Sequence, residues 1–81
     1  VSINKNYPSF NISNGYLYVN SRSNIENLIV FDVLGKIVYE IKKPDNLVNL
    51  NELNNGVYFI KTSIANQQFT TKIHLVKWWI S

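Results

Sequence analysis

The chain has 81 residues, a formal charge of +3, 46% hydrophobic and 14% aromatic residues, and no cysteine. That length holds one domain, which must build a single core without disulfides; disulfide scaffolds and Cys-ligated zinc modules are excluded. Charged residues make up only 16% of the chain, and thirteen asparagines carry much of the polar share, which points to many tight turns because Asn tolerates positive φ and bonds its own backbone.

Ten Ile, eight Val and five Tyr, with alternation punctuated by Asn, Gly and Asp roughly every 8 to 12 residues, predict short strands and no helix of note. The first residues up to Pro8 and beyond are irregular, and Asn14-Gly15 is a turn signal. Tyr16 to Ser21 then alternates Leu17 and Val19 against Tyr18 and Asn20. A polar link from Arg22 to Asn24 leads to a strand over Ile25 to Val33, and Asp32-Val33-Leu34-Gly35 reads as a type I turn closed by a positive-φ glycine, with the Asp32 carboxylate accepting backbone N–H groups. The return strand runs from Lys36 to about Lys42, where Pro44 and Asp45 break it. Val48 to Leu50 is a short strand, and Leu53-Asn54-Asn55-Gly56 is a tight turn. In the last hairpin a two-residue turn at Asn66-Gln67 pairs Ile64 with Phe69, Ile60 with Ile73 and Tyr58 with Leu75 on one face. The other face carries Val57, Phe59, Lys61 and Ser63 against Val76, His74, Lys72 and Thr70. A slip of one residue would bury Lys61 and Lys72 unpaired, so the choice of faces is strongly determined. Across Gly35, Val30 meets Val38 and Leu28 meets Glu40 on one side, while Ile29 meets Tyr39 and Phe31 meets Ile37 on the other, and both faces are apolar. The expected fold is all-β: a small antiparallel β-sandwich of immunoglobulin or fibronectin-like shape, with six or seven short strands in two packed sheets.

Residues able to carry chemistry are scarce. His74 is the only histidine and sits mid-strand on the wetter face beside Lys72, so a nucleophilic triad is not available. Five dispersed acids, Glu26 and Glu40 among them, supply neither a metal-ligand spacing nor a carboxylate pair converging in a cleft. The three glycines are too far apart for a phosphate cradle. Basic residues never run longer than Lys42-Lys43 and are interleaved with acids, unlike a nucleic-acid groove. Asn11-Ile12-Ser13 matches a glycosylation sequon, an ordinary coincidence among so many asparagines. No stretch approaches the ~18 apolar residues of a membrane span. The chain begins at Val1 with no charged-then-apolar leader, as expected of a piece excised from a longer precursor, which leaves room for a leader upstream. Lack of cysteine fits a reducing cytosol or a thiol-free envelope protein equally. The residues thus favour a binding, targeting or structural module with no cofactor, no metal and no enzymatic activity.

Three landmarks occur in order. Tyr7-Pro8 leads to Asn14-Gly15-Tyr16-Leu17-Tyr18-Val19; Leu28 to Phe31 leads through Asp32-Val33-Leu34-Gly35 to Lys36-Ile37-Val38; and Val48 to Leu53 leads through Asn54-Asn55-Gly56 to Val57-Tyr58-Phe59-Ile60-Lys61, followed by the basic end Lys72-Ile73-His74-Leu75-Val76-Lys77. Together they resemble the C-terminal sorting domain, type A, of type IX secretion (Por secretion) substrates in Bacteroidetes, over Tyr7 to Lys77. The resemblance implies that Asp32, Gly35, Asn55 and Gly56 hold characteristic turns and that Tyr58 begins the penultimate strand, with Lys72 and Lys77 in a basic terminal strand. It further implies a non-catalytic signal that follows an upstream passenger, already in the periplasm, and is read by the type IX translocon and by the surface machinery that cleaves and attaches the passenger. The destination is the cell surface or the medium, without stable membrane insertion and without nucleic acid. Leu28, Val30 and Val38 would face inward. Ile29, Phe31, Ile37 and Tyr39 would then form an apolar strip that either meets the export machinery or is covered by the second sheet or the N-terminal segment.

Two departures stand out. Tyr7-Pro8-Ser9-Phe10 replaces the family's usual Tyr-Pro-Asn-Pro, and Trp78-Trp79-Ile80-Ser81 follow Lys77, where the family tends to end. The tail reads as a native extension, a remnant of cloning or a docking strand, and residues 1–6 read as a linker from the passenger. A second reading, a surface adhesion or carbohydrate-binding sandwich, rests on the five tyrosines and Trp78-Trp79, since sugars stack on exposed aromatic rings. For a third, an enzyme fragment, no residue set can be offered.

Overall fold

The structure, a computed structural model, describes residues 7–77, so the expected linker 1–6 and the tail 78–81 with its two tryptophans lie outside the described residues. Seven strands follow in chain order: β1 (Ser9–Ser13), β2 (Tyr16–Asn20), β3 (Ile25–Phe31), β4 (Ile37–Lys42), β5 (Leu47–Asn49), β6 (Gly56–Ile64) and β7 (Gln67–Leu75). They form two antiparallel sheets with strand orders β1-β2-β5 and β4-β3-β6-β7. This is the expected all-β sandwich. Ser9–Ser13, expected to be irregular, is instead a strand, because Asn14 and Gly15 take φ of 49° and 86° and make the two-residue turn that suits a hairpin.

Each layer is dictated by alternation. Along β2, Leu17 and Val19 are buried while Tyr16, Tyr18 and Asn20 are exposed, and β5 adds Val48 to the same inner face. From the larger sheet come Leu28 and Val30 of β3, Tyr58, Ile60 and Ile64 of β6, and Ile73 and Leu75 of β7. Burial of such side chains is worth about 1.5–3 kcal/mol each before chain entropy is charged against it. Thr62 is the one buried polar side chain among the described residues, and its hydroxyl donates to the Asn27 carbonyl at 3.0 Å, beside a bulge where the β3–β6 register shifts between Ile25 and Asn27.

Three local geometries differ from the sequence-based expectation. The last hairpin turns at Ala65-Asn66, with φ of 52° and 64°, so Ile64 pairs with Gln67, Ile60 with Thr71, Tyr58 with Ile73 and Gly56 with Leu75. Relative to a turn at Asn66-Gln67 the register moves by two residues. An even shift leaves every side chain on its expected face. It also sets Lys61 opposite Thr70 and Lys72 opposite Phe59, removing the like-charge Lys61–Lys72 pair, and it sets His74 opposite Val57. In the middle hairpin Phe31 pairs with Ile37, but Val30 then pairs with Tyr39, leaving Val38 as the extra residue of a β-bulge. Finally, β5 spans Leu47–Asn49, and the hydrogen-bonded turn that follows falls on Leu50 to Leu53, with the Leu53 N–H donating to the Leu50 carbonyl at 3.0 Å. Gly56 is therefore the first residue of β6, with φ of 155°.

Two glycines should show why they are glycines. A Cβ at Gly15 would collide with the Asn51 side chain, and its φ is positive, so Gly15→Ala is expected to lower stability in urea melts by about 2 kcal/mol or more. At Gly35, with φ of 85° and open space around it, only the backbone objects. Gly35→Val should cost about 1–2 kcal/mol, and Gly35→Asn clearly less. In the same assay Ala65→Asn should stabilise by about 0.5–1 kcal/mol, because Asn tolerates the left-handed conformation imposed on Ala65.

Candidate recognition surface

The larger sheet carries apolar side chains on its outer face as well. Pairing in register aligns Ile37 of β4, Phe31 of β3 and Phe59 of β6 in one row across three strands, and the row continues to Lys72 on β7. The neighbouring row reads Glu40, Ile29, Lys61, Thr70, and Val57 lies beside His74. Ile37 is 51% exposed and Phe59 37%, whereas Ile29, Phe31 and Val57 are half-buried. At the same end of the sheet the β3–β4 loop presents Val33 and Leu34, 65% and 89% exposed. The result is an apolar patch edged by Lys61 and Lys72 on one side and by Glu40 on the other.

The loop that holds Val33 and Leu34 outward is built by Asp32. Its carboxylate accepts the N–H groups of Leu34 and Lys36, both at 2.9 Å, while the Gly35 N–H donates to the Asp32 carbonyl at 3.0 Å and the Asp32 N–H to the Lys36 carbonyl at 2.9 Å. This is the expected capped turn, with Gly35 in the left-handed region.

Of the residues singled out from the sequence, Ile29, Phe31, Ile37 and Lys72 share this outer face. Tyr39 does not. The bulge at Val38 turns Tyr39 to the inner side beside Val30, where it and Val38 pack against the core. Leu28 and Val30 are fully buried and Val38 partly so, the inward face that the sequence resemblance implied. Phe59 is an added member of the row. Its place on the wetter face is legible from alternation in β6, but its neighbour Phe31 lies on β3, and that long-range pairing leaves no local signal.

Tyr58 and Lys77 are engaged inside the fold. Tyr58 is 8% exposed, and its hydroxyl donates to the Asn54 carbonyl four residues upstream at 2.6 Å, in the manner of a tyrosine corner. The Lys77 ammonium donates to the carbonyls of Asn51 at 2.9 Å and Leu53 at 2.6 Å, and its backbone N–H donates to the Asn55 carboxamide oxygen at 3.1 Å. The terminal strand ends at Leu75, so Lys77 lies two residues beyond it and not within it as expected, and these bonds tie that segment to the β5–β6 loop. His74, Glu26 and Glu40 are exposed on separate strands, and among the described residues no three His, Cys, Asp or Glu side chains gather as a metal site. At the opposite end of the larger sheet, residues 21–26 and 43–46 enclose a polar recess of about 430 Å³, in which Arg22 and Lys43 are matched by Glu26 and Asp45. Mixed charge and open walls give that recess no selectivity for one ligand class.

The fold is thus a small two-sheet β-sandwich whose larger sheet carries the row Ile37, Phe31 and Phe59 beside Lys72 on its outer face. The chain belongs to the family described as the secretion system C-terminal sorting domain, whose model matches residues 6–77, nearly the whole chain. This is the sorting domain of type IX secretion in Bacteroidetes; membership implies recognition by that system, attachment to an upstream passenger, and export to the cell surface or into the medium. No curated protein matches the chain significantly.

Lys77 supplies the test of the internal tie. Lys77→Met, which keeps the aliphatic stem and removes the ammonium, is expected to cost about 1.5–3 kcal/mol in thermal or urea unfolding. It should also raise amide exchange selectively in the β5–β6 loop; unchanged exchange there would show that the tie does not hold the loop.

Proposed function

We propose that this domain is the folded address that carries a passenger from the periplasm through the outer membrane, and that the export machinery reads the outer apolar row together with Lys72. The observation that carries this reading is the outward-facing alignment Ile37–Phe31–Phe59–Lys72, with Ile37 and Phe59 exposed, on a sheet whose other face is already filled. A domain that keeps Ile37 and Phe59 exposed in line with a half-buried Phe31 gains nothing in stability from that exposure, so a partner that covers the row is the economical explanation. Lys61 and Lys72 would orient that partner by meeting acidic groups at its rim. Cleavage of the domain and attachment of the passenger to surface lipopolysaccharide would follow translocation. On this reading Tyr58, Lys77, Asp32, Asn55 and the two later glycines, Gly35 and Gly56, act by holding the presenting surface in shape.

The experiment is a secretion assay. The 81-residue chain is fused behind a periplasmically targeted fluorescent reporter in a host with a working type IX system, and the reporter is expected on the surface or in the medium. Reporter held in the periplasm equally with and without the domain would refute the sorting function. Phe59→Asp combined with Ile37→Asp, both at exposed positions, should reduce export at least about tenfold if the row is an anchor, and wild-type export by that folded variant would remove the row from recognition.

A further inference from the structure

Sheets of soluble proteins normally blunt their edges with short strands, charges, proline or bulges, because an open row of N–H and C=O groups templates pairing with another chain. Three of the four edges here follow that rule. β1 and β5 are five and three residues long, and β4 is six residues long, bulged at Val38, flanked by Lys36, Lys42 and Lys43, and closed by Pro44. β7 is the exception: nine residues, paired with β6 without a register break from Gly56–Leu75 to Ile64–Gln67, with no proline or glycine and Lys72 as its single fixed charge. Among the described residues no strand pairs with its outer edge. β1 lies against it only from the other layer, where the 65% exposed Tyr7 rests edge-on against Phe69, ring centroids 5.9 Å apart and planes at 79°.

We infer that the outer edge of β7 is a pairing site for β7 of a second copy of this chain, joining two four-stranded sheets across a two-fold axis. The strand is self-complementary in antiparallel register about Thr71. Thr71 then faces Thr71, Phe69 faces Ile73 on the inner side, and Thr70 faces Lys72 on the outer side. Inner positions meet inner positions because both are odd-numbered, so neither copy has to turn a polar side chain into its core. The two Lys72 ammonium groups avoid each other, which a register centred on Lys72 itself would not allow. Pairing satisfies the edge's backbone groups and covers the exposed Tyr7 ring at the same seam. This inference rests on the edge alone and is independent of the export reading.

Sedimentation equilibrium of the 81-residue chain, taken up to about 1 mM so that even a weak dimer is populated, is expected to show a monomer–dimer equilibrium. Thr70→Lys places an ammonium opposite Lys72 at two symmetric sites and should weaken the dimer about tenfold. Adding Lys72→Glu should restore it. If Thr70→Lys loosens the monomer, since residue 70 also faces Lys61, Thr70→Glu provides the opposite test and should tighten the dimer several-fold. A monomer at every concentration overturns the inference. So does a dimer indifferent to both charge changes at residue 70, or one abolished by Phe59→Asp with Ile37→Asp, which would place the contact on the sheet face.

Discussion

A domain of two layers can cover one face of each sheet and no more. In the smaller sheet this is enough, because β2 alternates strictly and sends only tyrosines and an asparagine outward. In the larger sheet it is not, because β3 and β6 carry Ile29, Phe31, Val57 and Phe59 on the face opposite Leu28, Val30, Tyr58 and Ile60. The three strands of the smaller sheet fill the inner side of that core completely: Leu28, Val30 and Ile60 have no exposure left. The outer row is therefore what remains when central strands apolar on both faces sit in a fold whose described residues form two layers. The same strands cannot become polar on the outside without changing what the domain presents.

Two irregularities decide how far that row extends. The bulge at Val38 takes one residue out of register, so Ile37 stays outside next to Phe31 while Tyr39 and Ile41 come in beside Val30 and Leu28. Without it Tyr39 would lie outside and Glu40 would face Leu28 across the core, which a carboxylate resists. The bulge exchanges an unpaired backbone residue for the removal of that buried charge. The capped Asp32–Gly35 loop then fixes the end of the hairpin, so Leu34 projects from the same end of the sheet as Ile37 and Phe31.

What was legible from sequence follows the same physics. Face assignment in β6 and β7 survived a two-residue error in the turn because parity, not position, is what alternation encodes. The turn lies one residue before the Asn66-Gln67 position that the sequence suggests, because Asn66 suits positive φ in either alignment and the choice depends on long-range terms: the like-charge pair removed at Lys61 and Lys72, and the Gly56–Leu75 alignment that brings Lys77 to the β5–β6 loop. The Asp32–Gly35 turn was fully legible because its donors, acceptor and glycine all lie within five residues. Tyr39 was not, since a bulge is a compromise between neighbouring strands and has no one-residue signature. Neither was the pairing of Phe31 with Phe59, twenty-eight positions apart, although each was individually recognisable as apolar in a strand.

Lys77, two residues beyond β7, is engaged within the domain itself. Its ammonium is held by two carbonyls of the β5–β6 loop and its N–H by Asn55, so a partner that bound it would first have to break charge-assisted bonds. Lys72 has no such engagement and stands exposed at the end of the apolar row. On the function proposed above, the two lysines divide the work. One joins the segment after β7 to the loop from which β6 and Tyr58 start, at the end of a pairing that sets Phe59 opposite Lys72. The other supplies charge beside Phe59, where attraction to an acidic rim needs no internal bond to be broken.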